Sequence, residues 1–142
     1  MQDAILLTTL SLSALLIGAM LFFPTVVAPT VFKTLDEAQA GRFLRRLFPG
    51  YYLFLIVGSA TAAVLAAVTA PGAALLLAAV ALSTLWVRQV LTPRINAFRD
   101  AEIAGDAAAG QKFKSAHRLS VIINMVQLAG LIALVVVLAM RL

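Results

Sequence analysis

The chain has 142 residues, of which 63% are hydrophobic and 12% charged, with a formal net charge of +5 and no cysteine. A soluble domain is about half apolar and a quarter charged, so a single soluble core is excluded in favour of one domain whose outer surface also faces hydrocarbon. Without cysteine there is no disulfide framework, no thiolate nucleophile and no Cys-based metal or iron–sulfur site, and the one histidine cannot supply a His-rich metal site.

Crossing a hydrocarbon core about 30 Å thick takes roughly 20 apolar residues at about 1.5 Å rise each. Four runs qualify: 4–23, 48–68, 73–91 and 120–140. Lipid admits only helices or closed barrels as spanning structures, and the runs are too long and too rich in Leu and Ala for barrel strands. The expected fold is therefore an all-α integral membrane protein, a bundle of four transmembrane helices forming a single domain over 1–142. The first run is preceded by "MQDA", which is acidic where a secretory signal peptide needs a basic n-region, so it reads as a retained span.

The connections set the orientation. Spans two and three are joined by "VTAPGAA", short and uncharged, with Pro71-Gly72 as the turn signal. The first–second connection, "KTLDEAQAGRFLRR", carries Lys33, Arg42, Arg45 and Arg46. The third–fourth connection carries Arg94, Arg99, Lys112, Lys114 and Arg118. An excess of Lys and Arg marks the cytoplasmic side. Both basic loops are expected inside and both termini outside, in a multi-pass protein of a bacterial inner membrane. The same distribution argues against nucleic acid as a partner, because the cations flank apolar runs and form no patch on a soluble surface. "LDEAQAGRFLRRLF" places Phe43, Leu44, Leu47 and Phe48 opposite Arg42, Arg45 and Arg46, the pattern of an interfacial helix. Those three arginines are expected to meet anionic lipid headgroups. In the second basic loop, Gly105 and Gly110 suggest a break between two helical extensions.

The two halves resemble each other in order: "APTVF", "AGRF" and "RRLF" against "TPRINAF", "AGQKF" and "HRLS". Pro29 would match Pro93, Gly41 would match Gly110, and Arg46-Leu47 would match Arg118-Leu119. Two repeated helical hairpins in the same orientation would be related by an axis along the membrane normal. Any two hairpins with basic inner loops would also share Pro, Gly and Arg.

Polar residues inside spans are costly and face the bundle interior. On the fourth helix His117, Ser120, Asn124 and Gln127 fall within an arc of roughly 80° at about 100° per residue. On the third, Thr84, Arg88 and Thr92 recur every fourth residue, with Gln89 alongside. Pro24 and Pro29 lie at the basic end of the first helix, where proline frees a carbonyl. Arg88, Gln89, His117, Ser120, Asn124, Gln127, Pro24 and Pro29 are therefore the candidate cavity residues. Each also has a plain structural reading. Arg88 can snorkel, His117 can sit at the interface, and Asn124 and Gln127 can join helices by hydrogen bonds worth about 1 kcal/mol. Gly58, Ala62 and Ala66, and likewise Ala14 and Gly18, form small-residue ridges suited to helix packing. Tyr51, Tyr52 and Trp86 read as interface anchors.

No catalytic constellation is visible: no carboxylate pair within a span, no Gly-rich phosphate loop, no serine with a base and orienter. The acids Asp36, Glu37, Asp100, Glu102 and Asp106 lie in loops beside Lys and Arg. His117 could provide one axial haem ligand, but a second would have to come from Met, Lys or another chain.

"FFPTVVAPTVFKTL", "AGRFLRRLFPGYY" and "KFKSAHRLSVIINMVQL" together resemble the transmembrane protein 205-like family, also catalogued as domain of unknown function 4149. The resemblance covers about Leu7 to Leu134. By matching position Pro24, Pro29, Phe32, Gly41, Phe48, Pro49, His117, Ser120 and Asn124 are the family-type residues. It implies four spans and carries no biochemical activity. The leading expectation is binding or passage of a small solute or lipid through a polar cavity facing the cytoplasm, in a homo-oligomer embedded in the lipid bilayer, with no cofactor. The rivals are a membrane redox protein holding haem or quinone near His117, and a structural scaffold for other membrane proteins.

Overall fold

The computed structural model describes residues 1–141, and all regular structure among them is helical. The elements are α1 (Gln2–Phe22), a π-helical turn (Phe23–Val27), α2 (Ala28–Thr34), α3 (Glu37–Thr69), α4 (Pro71–Trp86), a second π-helical turn (Val87–Leu91), α5 (Thr92–Ile103) and α6 (Ala107–Ala139). The π turns do not interrupt the helices that flank them. The chain therefore runs as four rods, Gln2–Thr34, Glu37–Thr69, Pro71–Ile103 and Ala107–Ala139, each of 33 residues.

A 33-residue helix is about 50 Å long, well beyond the 30 Å or so of hydrocarbon. The rods therefore extend past the apolar layer at the basic end. The two basic segments expected as loops are almost wholly helix. Leu35–Asp36 alone separate α2 from α3, and Ala104–Asp106 separate α5 from α6. Local chemistry stops and restarts the chain at these points. Asp36 accepts from the Gln39 amide at 2.8 Å while Gln39 Oε1 accepts from the Asp36 amide at 3.4 Å, a capping box that opens α3. Asp106 accepts from Ala108 and Ala109 at 2.9 and 3.2 Å and opens α6. Gly105 has φ +102°, a left-handed conformation that suits glycine. The expected break thus falls at Gly105, and Gly110 lies inside α6.

The π turns have a common cause. Ala28 donates to the Phe23 carbonyl and Thr92 to the Val87 carbonyl, five residues back, and each donor directly precedes a proline, Pro29 or Pro93. A proline ring clashes with the carbonyl four residues earlier, and one wider turn relieves that clash. Pro29 and Pro93 thus occupy the same place in the two halves, as matched in sequence. The caps shift the rest of the match. Asp36 aligns with Asp106, so Arg42-Phe43 aligns with Lys112-Phe113, and Gly41 falls one residue off Gly110.

The rods pack in chain order around a ring: α1 against α3, α3 against α4, α5 against α6, and α6 back against α1. Leu16, Met20, Leu55, Leu77, Leu131 and Leu138 are fully buried between them. Ala62 and Ala66 on α3 and Ala73 on α4 let two backbones approach closely. Gly58 serves the same end, since a Cβ there would lie 2.9 Å from Leu16 Cδ2. The Ala14–Gly18 ridge differs from expectation. Both residues are exposed, a Cβ at Gly18 would meet nothing within 4 Å, and Thr9, Ser13, Leu16 and Met20 form the packed face of α1. Large apolar side chains such as Val64, Val68, Leu75, Leu82 and Val126 point outward. Hydroxyls that face outward bond their own helix, as Thr8 to the Ala4 carbonyl and Ser11 to that of Leu7. Four helices with this apolar exterior make the chain a multi-pass membrane protein.

Candidate functional site

A cavity of about 370 Å³ opens inside the half of the bundle nearer the basic end, within the usual range for small-ligand sites. All four rods line it. The first rod contributes Met20, Phe23, Pro24, Ala28 and Phe32, and α3 contributes Leu44, Phe48, Tyr51, Tyr52 and Leu55. The third rod adds Thr84, Val87, Thr92, Ile95 and Asn96. His117, Ser120, Asn124 and Gln127 come from α6. Both π turns border the space, so the wider backbone helps to form it.

One wall is aromatic. The Phe23 ring lies 5.1 Å from Phe48 and 5.4 Å from Tyr51, and Phe48 stacks on Tyr52 at 5.4 Å and 17°. The facing wall carries the polar seam of α6. At its deep end Gln127 is buried and donates through Nε2 to Ser83 Oγ at 2.7 Å and Thr84 Oγ1 at 3.1 Å. At mid-depth Tyr51, Tyr52, Thr92 and Asn124 line the same space. Thr92 Oγ1 is buried and has no hydrogen-bond partner. Ser83 and Thr84 satisfy their hydroxyls at the carbonyl four residues back, and the π turn Val87–Leu91 denies Thr92 that geometry. Nearer the rim, Ser120 Oγ donates to the His117 carbonyl at 2.7 Å, and the exposed His117 ring stacks on Phe113 at 5.9 Å and 15°.

The seam His117, Ser120, Asn124 and Gln127, with Pro24, thus converges on one space. The expected third-helix residues do not all join it. Thr84, Arg88 and Thr92 share a face only if the helix stays α. The π turn inserts an extra residue per turn, so Val87 takes the place beside Thr84 and Thr92. Arg88 points elsewhere and donates through Nε to the Pro49 carbonyl at 3.3 Å, and Gln89 is exposed. Pro29 is half-buried outside the lining and acts through the π turn before it. Tyr51 and Tyr52, expected as interface anchors, line the cavity. Trp86 stays outside at 42% exposure, as an anchor would. Sequence reasoning passed over Phe23 and Asn96 as lining residues, and named Thr84 and Thr92 only as a polar repeat with Arg88. The signal was present as Phe48, Tyr51 and Tyr52 at helical spacing and as Thr92 and Asn96 one turn apart.

Charged groups gather beyond the rim. Arg45 grips Asp100 with two bonds, Nη2 to Oδ1 at 2.5 Å and Nη1 to Oδ2 at 3.1 Å, and reaches the Asn96 carbonyl at 3.4 Å. That hydrogen-bonded guanidinium holds the Asp100 carboxyl below the usual carboxylate range. Arg99 pairs with Glu37 and with Glu102 (2.6 Å), and its guanidinium carbon lies 5.4 Å from the Phe113 ring centroid. Gly110 makes room for this, because a Cβ there would lie 2.6 Å from Glu102 Oε1. The acids expected in loops are thus two caps and three ion-pair partners on helices. Of the three arginines expected at headgroups, Arg45 is held by Asp100, while Arg42 and Arg46 flank an outer groove with Phe43 and Leu47. Among the described residues no three His, Asp or Glu side chains cluster to hold a metal ion.

No curated protein and no solved structure matches the chain. The family model described as a domain of unknown function (DUF4149) matches residues 11–104, from α1 to the end of α5, which includes both π turns and the aromatic wall. That match covers well over half of the chain, and the protein belongs to the DUF4149 family.

Proposed function

We propose that the protein binds, or lets pass, a small solute or lipid in the cavity between its four rods. The observation that carries this reading is the convergence of His117, Ser120, Asn124 and Gln127 on one space faced by aromatic rings from α1 and α3. Polar groups are expensive at this depth, and a bundle needing only packing would fill the space with Leu and Ala. The basic end faces the cytoplasm by the positive-inside rule, so the site opens inward in a bacterial inner membrane. Arg42 and Arg46, which share an outer groove with Phe43 and Leu47, sit against anionic headgroups at that surface. The cavity of about 370 Å³ within one bundle holds a small molecule, and a continuous pathway would use several copies of the chain. The likeness of "FFPTVVAPTVFKTL" and "KFKSAHRLSVIINMVQL" to the transmembrane protein 205-like family supports the same frame.

The test is native mass spectrometry of the protein taken from its membrane in mild detergent, beside a Ser120→Phe variant that fills the cavity. A defined small-molecule adduct on the wild type, lost in the variant with the oligomer intact, is the expected result. An adduct kept by the variant, or wild-type protein carrying only scattered lipid, would overturn the reading.

A further inference from the structure

We infer that the cavity selects an amphiphile with a single uncharged oxygen head, an alcohol or a ketone, and rejects the matching carboxylate. This rests on the cavity reading above and adds the chemistry of the ligand.

Three helices bring four uncharged polar groups together at mid-depth: Tyr51 and Tyr52 from α3, Thr92 from α5 and Asn124 from α6. The other lining polar groups are already engaged or lie at the rim. Gln127 is spent on Ser83 and Thr84, and Ser120 on a carbonyl of its own helix. Thr92 Oγ1 is the exception in the lining, buried and unpartnered. The only other such atom among the described residues, Thr69 Oγ1, lies at the far end of the bundle. An unmade hydrogen bond on a buried hydroxyl is costly, and a ligand oxygen at this node would answer it. Apolar side chains flank the node, Leu55 and Met20 deeper and Leu44 and Ile95 nearer the rim, while the polar residues on either side are the already bonded Gln127 and Thr84 below and Asn96, His117 and Ser120 toward the rim. One small free polar node between apolar side chains fits one small head on an apolar body.

Charge decides the class. The lining holds no Lys, Arg, Asp or Glu among the described residues. Arg88, the cation at the right depth, is turned away to the Pro49 carbonyl, and Arg45 and Arg99 are paired beyond the rim. His117 is at the rim and stacked on Phe113. A carboxylate at the node would have hydroxyls and an amide to bind it and no counter-charge, which is strongly unfavourable away from water. An alcohol or ketone has no such penalty.

The matched pair dodecanol and dodecanoate isolates the head from the chain. The protein is placed in phosphatidylcholine nanodiscs at pH 9, where dodecanoate is ionised. A diazirine-bearing dodecanol is photocrosslinked and the labelled residues are mapped by mass spectrometry. Unlabelled dodecanol and dodecanoate then compete at equal mole fraction in the bilayer. Labelling is expected at cavity residues of α6, with dodecanoate competing at least about tenfold less well. Thr92→Val, which removes an unpartnered hydroxyl and so keeps the fold, and Asn124→Leu are expected to cut that advantage. Equal or better competition by dodecanoate, or an advantage unchanged in both variants, overturns the head-group inference and leaves the cavity reading standing. Label confined to the lipid-facing surface and indifferent to Ser120→Phe overturns both.

Discussion

Gln127 on α6 reaches across the bundle and donates to Ser83 Oγ on α4 at 2.7 Å. Because Ser83 and the adjacent Thr84 already donate to carbonyls of their own helix, the glutamine meets two oriented acceptors. The contact pins α6 to α4 at the floor of the cavity. It also consumes the one residue of the seam that is buried.

That clamp has a modest energy. Interhelical hydrogen bonds in membranes contribute about 0.6–1 kcal/mol, since the unfolded helices also find partners. Gln127→Leu keeps the volume and leaves both hydroxyls satisfied, so it is expected to lower stability by about that amount. Unfolding in mixed micelles of a mild detergent and dodecyl sulfate measures it. A loss of several kcal/mol would mean that the residue does more than join two helices.

The helix contact at Gly58 makes a sharper prediction. A Cβ at this position would lie 2.9 Å from Leu16 Cδ2, in a side chain that is 1% exposed and must shift to admit it. Gly58→Ala is expected to cost about 1–3 kcal/mol as overpacking. Gly18→Ala meets open space and should gain up to about 1 kcal/mol from helix propensity. Thermal unfolding of the two variants should therefore shift in opposite directions, and a shift of the same sign in both would contradict the packing described for α1 and α3.

At the basic end, the Arg45–Asp100 pair predicts an acid sensitivity. The folded carboxyl is held below its unfolded value, so its contribution is present above the ordinary carboxylate value and is lost as the pH falls through the folded one. Carbon-13 titration of the Asp100 carboxyl should show this low midpoint, and Arg45→Gln should return it to the ordinary range. An unchanged midpoint in the variant would assign the shift to something other than the guanidinium.

Orientation is testable because the chain has no cysteine of its own. Pro71-Gly72, expected as the turn, instead opens α4 after the single linking residue Ala70; Gly72 is exposed there at one end, and Ala104 is exposed in the break at the other. In intact cells a membrane-impermeant maleimide should label Gly72→Cys, and Ala104→Cys should react only once the membrane is opened. The reverse pattern would place the cavity mouth outside.

The number of helices, the basic end, and the common face of His117, Ser120, Asn124 and Gln127 could all be read from the chain alone. Each rests on local physics: a hydropathic run long enough to cross lipid, the position of Lys and Arg between runs, and the 3.6-residue period of a single helix. The same local logic failed on the third helix. A π turn precedes Pro93, and it moves Arg88 off the face of Thr84 and puts Val87 there. What remained for the tertiary structure was every pairing across helices. Arg88 finds the Pro49 carbonyl 39 residues away, Arg45 finds Asp100 55 residues away, and Tyr51 and Tyr52 turn inward to line one cavity with Asn124 and Thr92. Sequence period reveals which residues share a side of one helix. It holds no record of what stands opposite, because that depends on how four rods of equal length close into a ring.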